Sequence, residues 1–279
     1  MTVLIAIAAA LVAVGITQPS TAQTPSPAIG IVIMHGKGGS PKWHVSNLAS
    51  SLEGKGYLVA NLEMPWSGSR SYDVNASAAV KEVESALDKL RSKGAQKIFV
   101  AGHSQGGLFA LYFGGKQLVD GVIAIAPGGD MSNPTFREKL GTTLDLARRL
   151  VAEGKGDGKE RLSDYENAKG TYTIVATPSS YLSWFDPDGA MNQTAAVERM
   201  NPRVPVLFIV PTEDYAGLRD VKHRFSYLLQ KNPLSKLSEP VASHVGAPSA
   251  SLDEIVRWTT EVAGRANLAL QVTPAGGRP

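Results

Sequence analysis

Five consecutive residues, Gly102–His103–Ser104–Gln105–Gly106, form the stretch of this chain best suited to chemistry. A serine flanked by glycines two positions away on each side can act as a nucleophile when a strand turns sharply into a helix at that point. The surroundings fit. Ile98–Ala101 is a short apolar run of the kind that forms a buried strand, and Leu108–Phe113 continues as an apolar helix. Glycine on either side lets strand and helix pass closely, and a helix N-terminus leaves free N–H groups at the turn.

A serine hydroxyl is a weak nucleophile at neutral pH and needs a base, which in turn is held by a carboxylate. Of five histidines, His35 follows the first apolar run in a glycine-rich loop, and His44 reads as part of a surface helix. His103 adjoins the serine and is expected to point away from it, while His223 sits between Lys222 and Arg224 on a solvated face. His244 occupies a loop late in the chain, after the last expected strand, and is the candidate base. For the acid, Asp214 leaves the end of the Val204–Val210 run and is the first choice. Glu213, Asp130 and Asp186 stay open as alternatives, Asp130 because it too follows a strand end. An oxyanion formed on attack needs donors. The N–H of Gln105 and, from the loop after the first strand, that of Lys37 are the candidates. The Lys37 side chain need take no part and reads as an ordinary solvent-facing lysine.

These residues require an alternating scaffold. Ala28–Met34, Tyr57–Leu62, Ile98–Ala101, Gly121–Ala126, Val204–Val210 and a short Leu237–Ala242 read as strands. Pro240 suits an edge position in the last. The helical stretches between them, such as Ala76–Lys93, predict a largely parallel sheet with helices on both faces. The rhythm breaks after Asp130. Residues 131–200 are expected to leave the sheet as a small cap over the site, or else to extend the core through Thr171–Ala176. Both readings stay open here. Leu252–Val262 reads as the closing helix, and 265–279 as a tail.

This combination resembles an alpha/beta-hydrolase of the compact esterase or lipase type. Ile31–Val32–Ile33–Met34–His35–Gly36 matches the family's first-strand signature, Gly102–Gly106 its elbow, Pro211–Asp214 loosely its acid turn, and His244 with Gly246 its late histidine. The family usually has glycine where this chain has Pro211. The resemblance covers about 28–262 and implies a Ser104, His244 and Asp214 triad that cleaves carboxylic esters through an acyl-enzyme. Many members carry two antiparallel strands before the His-Gly strand. Cleavage after Ala22 would leave five residues before Ala28, so about six strands are expected. An amidase, lactonase or perhydrolase could use the same residues, and a non-catalytic binding protein could keep the same fold. Met64, Trp66, Tyr181 and Trp184 are candidates for an apolar acyl or aromatic pocket, Trp66 foremost because its loop opens at the sheet edge where such sites collect.

Composition narrows the classes further. The chain has 279 residues, enough for one sizeable domain from 28 to 264. It has no cysteine, which excludes disulfides, thiolate catalysis and cysteine-held metals. Its formal net charge of +3 comes from scattered lysines and arginines, with no stripe to suggest nucleic acid. The glycine spacing of 30–39 is not a dinucleotide fingerprint, and neither a metal nor an organic cofactor is expected. Val3–Ile16 is an apolar run followed by a small-residue exit ending at Ala22. It reads as a signal peptide over 1–22, with 23–27 a flexible lead, and predicts export to the periplasm or beyond. The run is short for a membrane span.

Overall fold

The computed structural model describes residues 27–271. The expected signal peptide lies outside the described residues, as does the end of the tail. In chain order, β1 (Ile29–Met34), α1 (Ser46–Gly54), β2 (Leu58–Leu62), α2 (Ala76–Ser92), β3 (Lys97–His103), α3 (Gln105–Lys116) and β4 (Gly121–Ile125) form the first half. There follow α4 (Pro134–Ala152), β5 (Glu160–Glu166), β6 (Gly170–Ala176), α5 (Pro178–Phe185) and α6 (Gln193–Glu198). The chain ends with β7 (Val206–Ile209), α7 (Ala216–Arg219), α8 (Phe225–Lys231), β8 (Lys236–Ser238), α9 (Ala247–Ala250) and α10 (Leu252–Gln271). A 3-10 turn, Asp220–Arg224, joins α7 to α8. Helix α10 continues nine residues beyond Val262, where the apolar pattern ended.

The main sheet has six strands in the order β2-β1-β3-β4-β7-β8, every pair parallel. Alternation along β1 explains the two layers of core. Ile31 and Ile33 pack with Leu48, Leu52, Phe99, Ile123 and Trp258, on the side of α1 and α10. Val32 and Met34 face the other way, against Val83, Leu87 and Leu108 of α2 and α3. Burial on both faces is why β1 reads as an unbroken apolar run. Register aligns Met34 with Gly102 and His103 with Ile125. The C-terminal ends of all six strands therefore share one edge, and the loops that carry Lys37, Ser104, Asp214 and His244 leave from it.

Residues 131–200, the cap segment, leave the main sheet, and their Ile174, Ala176 and Trp184 join the core cluster of Val32 and Leu108. Strands β5 and β6 pair only with each other, as an antiparallel hairpin apart from the main sheet. The hairpin turn, residues 166–169, overhangs the sheet edge, while α6 returns to pack beside α3, where Met200 meets Gly114. Side-chain caps mark four of the helix starts. The side chains of Asn75, Asn133, Thr177 and Asn192 each accept an N–H from the first turn of their helix.

Candidate active site

Ser104 stands between β3 and α3 with φ 55° and ψ −118°, a conformation that non-glycine residues rarely hold. Three backbone bonds enforce it. The Ser104 N–H donates to the Ile125 carbonyl at 2.9 Å, and the Ser104 carbonyl accepts from Leu108 and Gly128, each at 3.1 Å. Strain of this kind persists only where the surroundings over-determine it. The glycines are obligatory. A Cβ on Gly102 would lie 2.0 Å from the Gly106 carbonyl oxygen, and one on Gly106 2.5 Å from that of Met34.

Asp214 and His244 come from loops at the same edge, and backbone bonds zip those loops together. Val210 donates to Ser238 at 2.9 Å, Thr212 to Pro240 at 3.0 Å and Glu213 to Ala242 at 3.1 Å. With this alignment Glu213 pairs with Ser243 through its backbone and leaves its side chain exposed, while the Asp214 side chain turns fully inward. His244 Nδ1 lies 3.0 Å from both carboxylate oxygens of Asp214. The Tyr215 N–H donates to the same carboxylate at 2.7 Å. Asp130 is committed elsewhere. It accepts from Arg224 at 2.7 Å, from Ser132 and from the Gln193 N–H at 2.9 Å, which ties the start of α4 to α6. Asp186 pairs with Arg148 at 3.1 Å.

A cleft of about 330 Å³ opens over these groups. Ser104, His244, Lys37 and Gln105 line it together with Trp43, Phe136, Tyr165, Tyr215, Leu218 and Val245, so most of the wall is apolar or aromatic. The volume falls in the range of small-ligand pockets. His44 lies in the turns before α1, not on a surface helix, and lines the cleft. Among the described residues, no group of three or more His, Asp or Glu is placed to hold a metal, and no helix is long and apolar enough to cross a membrane.

Four sequence candidates for the pocket wall are corrected by their burial. Met64, Trp66, Tyr181 and Trp184 do not line the cleft but pack between cap and sheet. Trp66 meets Phe109 at 5.3 Å and Trp184 at 5.7 Å between ring centres, and Tyr181 meets Phe185 at 4.7 Å. Apolarity and loop position do not distinguish a ligand-facing ring from a core ring, and the core claimed all four. Trp66 nonetheless shapes the site. Its indole donates to the His35 carbonyl at 2.8 Å, and its own carbonyl accepts from Gly38 at 2.9 Å, so it clamps both sides of the Lys37 peptide region. His35 helps from below. Its Nε2 accepts the Met64 N–H at 3.0 Å, which leaves the proton on Nδ1 to bond the Gly36 carbonyl at 2.7 Å. Burial holds its pKa below the ordinary value.

The Lys37 side chain is also corrected. It is buried, not solvent-facing. Its ammonium pairs with Asp164 of β5 and donates to the Tyr165 carbonyl at 3.0 Å.

His103 has a role that the sequence did not reveal. Its Nε2 bonds the His244 carbonyl at 2.9 Å and its ring lies 4.8 Å from that of His244, so it supports the histidine loop from beneath. Burial, then the neighbouring His244, push its pKa down to about 3 from an ordinary 6.5. The folded protein thus keeps His103 neutral where the unfolded chain takes up a proton, so stability falls as pH drops from 6.5 towards 3 and is unaffected by this group above 6.5. We expect His103→Gln to flatten that decline in melting temperature. A decline as steep as in the unsubstituted protein would assign the acid lability to other groups.

Comparison with known proteins places this arrangement. A comparison with curated protein sequences finds no match. Solved structures share the fold at low identity. The monoacylglycerol lipase of Paleococcus ferrophilus is 22% identical, with a TM-score of 0.56 over 84% of this chain and 94% of that one. A thermostable carboxyl esterase from Bacillus coagulans is 15% identical, with a TM-score of 0.59 over 88% and 91%. The alpha/beta hydrolase GrgF from Penicillium sp. sh18 is 16% identical, with a TM-score of 0.60 over 86% and 91%. The sequence model of the alpha/beta hydrolase family matches residues 31–277. With that match spanning nearly the whole chain, and the strand order and turn at Ser104 agreeing with it, the protein belongs to the alpha/beta hydrolase family.

Proposed function

We propose that the protein is a serine hydrolase that cleaves carboxylic esters through an acyl-enzyme. One observation carries this reading. The strained Ser104 shares a single cleft with His244, whose Nδ1 is held by both oxygens of the buried Asp214. A proton on Nδ1, held by Asp214, leaves Nε2 as the base. His244 takes the Ser104 proton as Oγ attacks the acyl carbonyl, and the oxyanion is held by the N–H groups of Lys37 and Gln105. Gln105 opens α3, where the first N–H groups have no partner within the helix. His244 then protonates the leaving alcohol. In the second half, water gives its proton to His244 and attacks the acyl carbon, and His244 passes that proton to Ser104 Oγ as the acyl–Oγ bond breaks, which releases the acid and restores Ser104.

The apolar cleft favours an ester with an apolar acyl or aromatic group of modest size. The lipase and esterase names of two structural neighbours point the same way. Export is inferred from the apolar N-terminal run alone.

The test is a series of p-nitrophenyl esters of rising acyl length, run on a form beginning at Gln23, with fluorophosphonate labelling in parallel. We expect turnover, a preference for short to medium chains, and label on Ser104. No turnover for any ester, with no label, overturns the reading.

A further inference from the structure

The two residues whose backbone N–H groups are assigned to the oxyanion come from different elements, the loop after β1 and the start of α3. Their side chains nevertheless meet at one buried carboxylate on the cap. Asp164 of β5 is wholly buried and accepts four donors. One oxygen takes the Lys37 ammonium and the Tyr165 N–H at 2.7 Å. The other takes the hydroxyls of Tyr72 at 2.9 Å and Tyr172 at 3.1 Å. The Tyr72 hydroxyl, its proton given to Asp164, accepts from the Gln105 side-chain amide at 3.1 Å. Lys37 and Gln105 are thus joined through Asp164 and Tyr72, with no solvent in reach of the carboxylate.

The chain strains its backbone to build this link. Ser71 and Tyr72 both hold positive φ, 50° and 58°, in the left-handed region. An aromatic residue rarely adopts it, and it persists where surroundings impose it. Here the Tyr72 carbonyl accepts the Ser180 hydroxyl at 2.8 Å and its N–H donates to Pro65 at 2.6 Å. Burial and the nearby Asp164 raise the Tyr72 phenol well above its ordinary pKa, which keeps it a donor.

We propose that Asp164 is a positioning residue for the oxyanion pocket: through Lys37 and through Tyr72–Gln105 it sets the spacing of the two backbone donors that receive the developing charge. Asp164 makes no contact with the reacting atoms. This rests on the ester-hydrolase reading above. A carboxylate suits the task because both oxygens only accept. An asparagine offers one acceptor, and its amide group would face donors.

The test compares Asp164→Asn, Lys37→Met and the double variant, reading kcat, KM, melting temperature and the rate at which a fluorophosphonate inactivates Ser104. The phosphonyl oxygen occupies the same pocket as the oxyanion, so labelling reads the donors without turnover. Misplacing one donor is expected to lower kcat by about 10- to 100-fold, with KM changed less than about 3-fold and inactivation slowed in proportion. Asp164→Asn alone strands a buried ammonium and is expected to lower the melting temperature. The double variant removes that charge, so its melting temperature should recover while kcat and the inactivation rate stay low. Activity that recovers together with the melting temperature makes Asp164 a mere anchor for the hairpin and overturns the proposal. So does an Asp164→Asn protein with unsubstituted kcat. An unsubstituted protein that neither turns over esters nor takes the label overturns the hydrolase reading itself, and the proposal with it.

Discussion

Ser104→Ala is expected to abolish ester turnover while leaving the fold and the cleft intact. In serine enzymes, removing the nucleophile lowers kcat by on the order of 10⁴- to 10⁶-fold, and removing further members of the triad adds little because they act as a unit. His244→Ala should therefore fall to a similar floor, and a Ser104→Ala/His244→Ala double variant should sit no lower. The residual rate would come from the oxyanion donors proposed at Lys37 and Gln105. Stability should separate from activity at the same position. At φ 55° alanine carries the same backbone penalty as serine, whereas glycine does not. Ser104→Gly is expected to be as inactive as Ser104→Ala yet more stable by about 1 kcal/mol, read from denaturant midpoints. Kinetics on the p-nitrophenyl esters decide the first part. A Ser104→Ala protein retaining more than about one hundredth of the rate would remove Ser104 from the chemistry.

Gly102→Ala should have the largest effect on stability of any alanine placed at a described glycine. The new Cβ would lie 2.0 Å from the Gly106 carbonyl oxygen and 2.7 Å from the Gly107 nitrogen. Both are backbone atoms of the turn into α3, so no side chain can swing aside. Relief requires α3 to move away from β3, and α3 is buried on nearly every side. Overpacking of a rigid site typically costs about 1–3 kcal/mol, and forced backbone displacement more, so about 3–5 kcal/mol is expected here. That is a large share of the roughly 5–15 kcal/mol that typically holds a domain together. Gly141→Ala supplies the contrast. Gly141 lies inside α4 with open space around its Cα, and alanine there should gain up to about 1 kcal/mol. Urea midpoints of the two variants should move in opposite directions. A Gly102→Ala protein with an unshifted midpoint would mean that the turn is looser than the close approach implies.

Much of this molecule is legible in its sequence alone. The parallel sheet is visible because β1, β3, β4 and β7 are apolar on both faces and separated by amphipathic or apolar helices, a purely local pattern. The turn at Ser104 is visible because only glycine tolerates the close approach at 102 and 106, which leaves a mark in the residue types themselves. Order along the chain also points to Asp214 and His244 as partners, since each follows a strand that ends at the same edge.

Contacts between distant segments leave no such mark. Whether Asp214 or Glu213 turns inward depends on the register of the 210–213 backbone with residues 238–242, and neighbouring residues in extended chain point to opposite sides. Met64, Trp66, Tyr181 and Trp184 belong to the core because the cap folds down on the loop after β2, an arrangement set by tertiary packing and invisible to hydropathy. Lys37 reads as a surface lysine until β5, more than a hundred residues later, brings Asp164 to meet it. Local chemistry in the chain determined the strands, the strained serine and the edge on which chemistry is possible. Only the folded structure decided which carboxylate meets His244, which aromatic rings face the cleft, and which buried charge ties the cap to the loops beneath it. Those choices depend on the alignment of segments far apart in sequence, and no short-range pattern encodes that alignment.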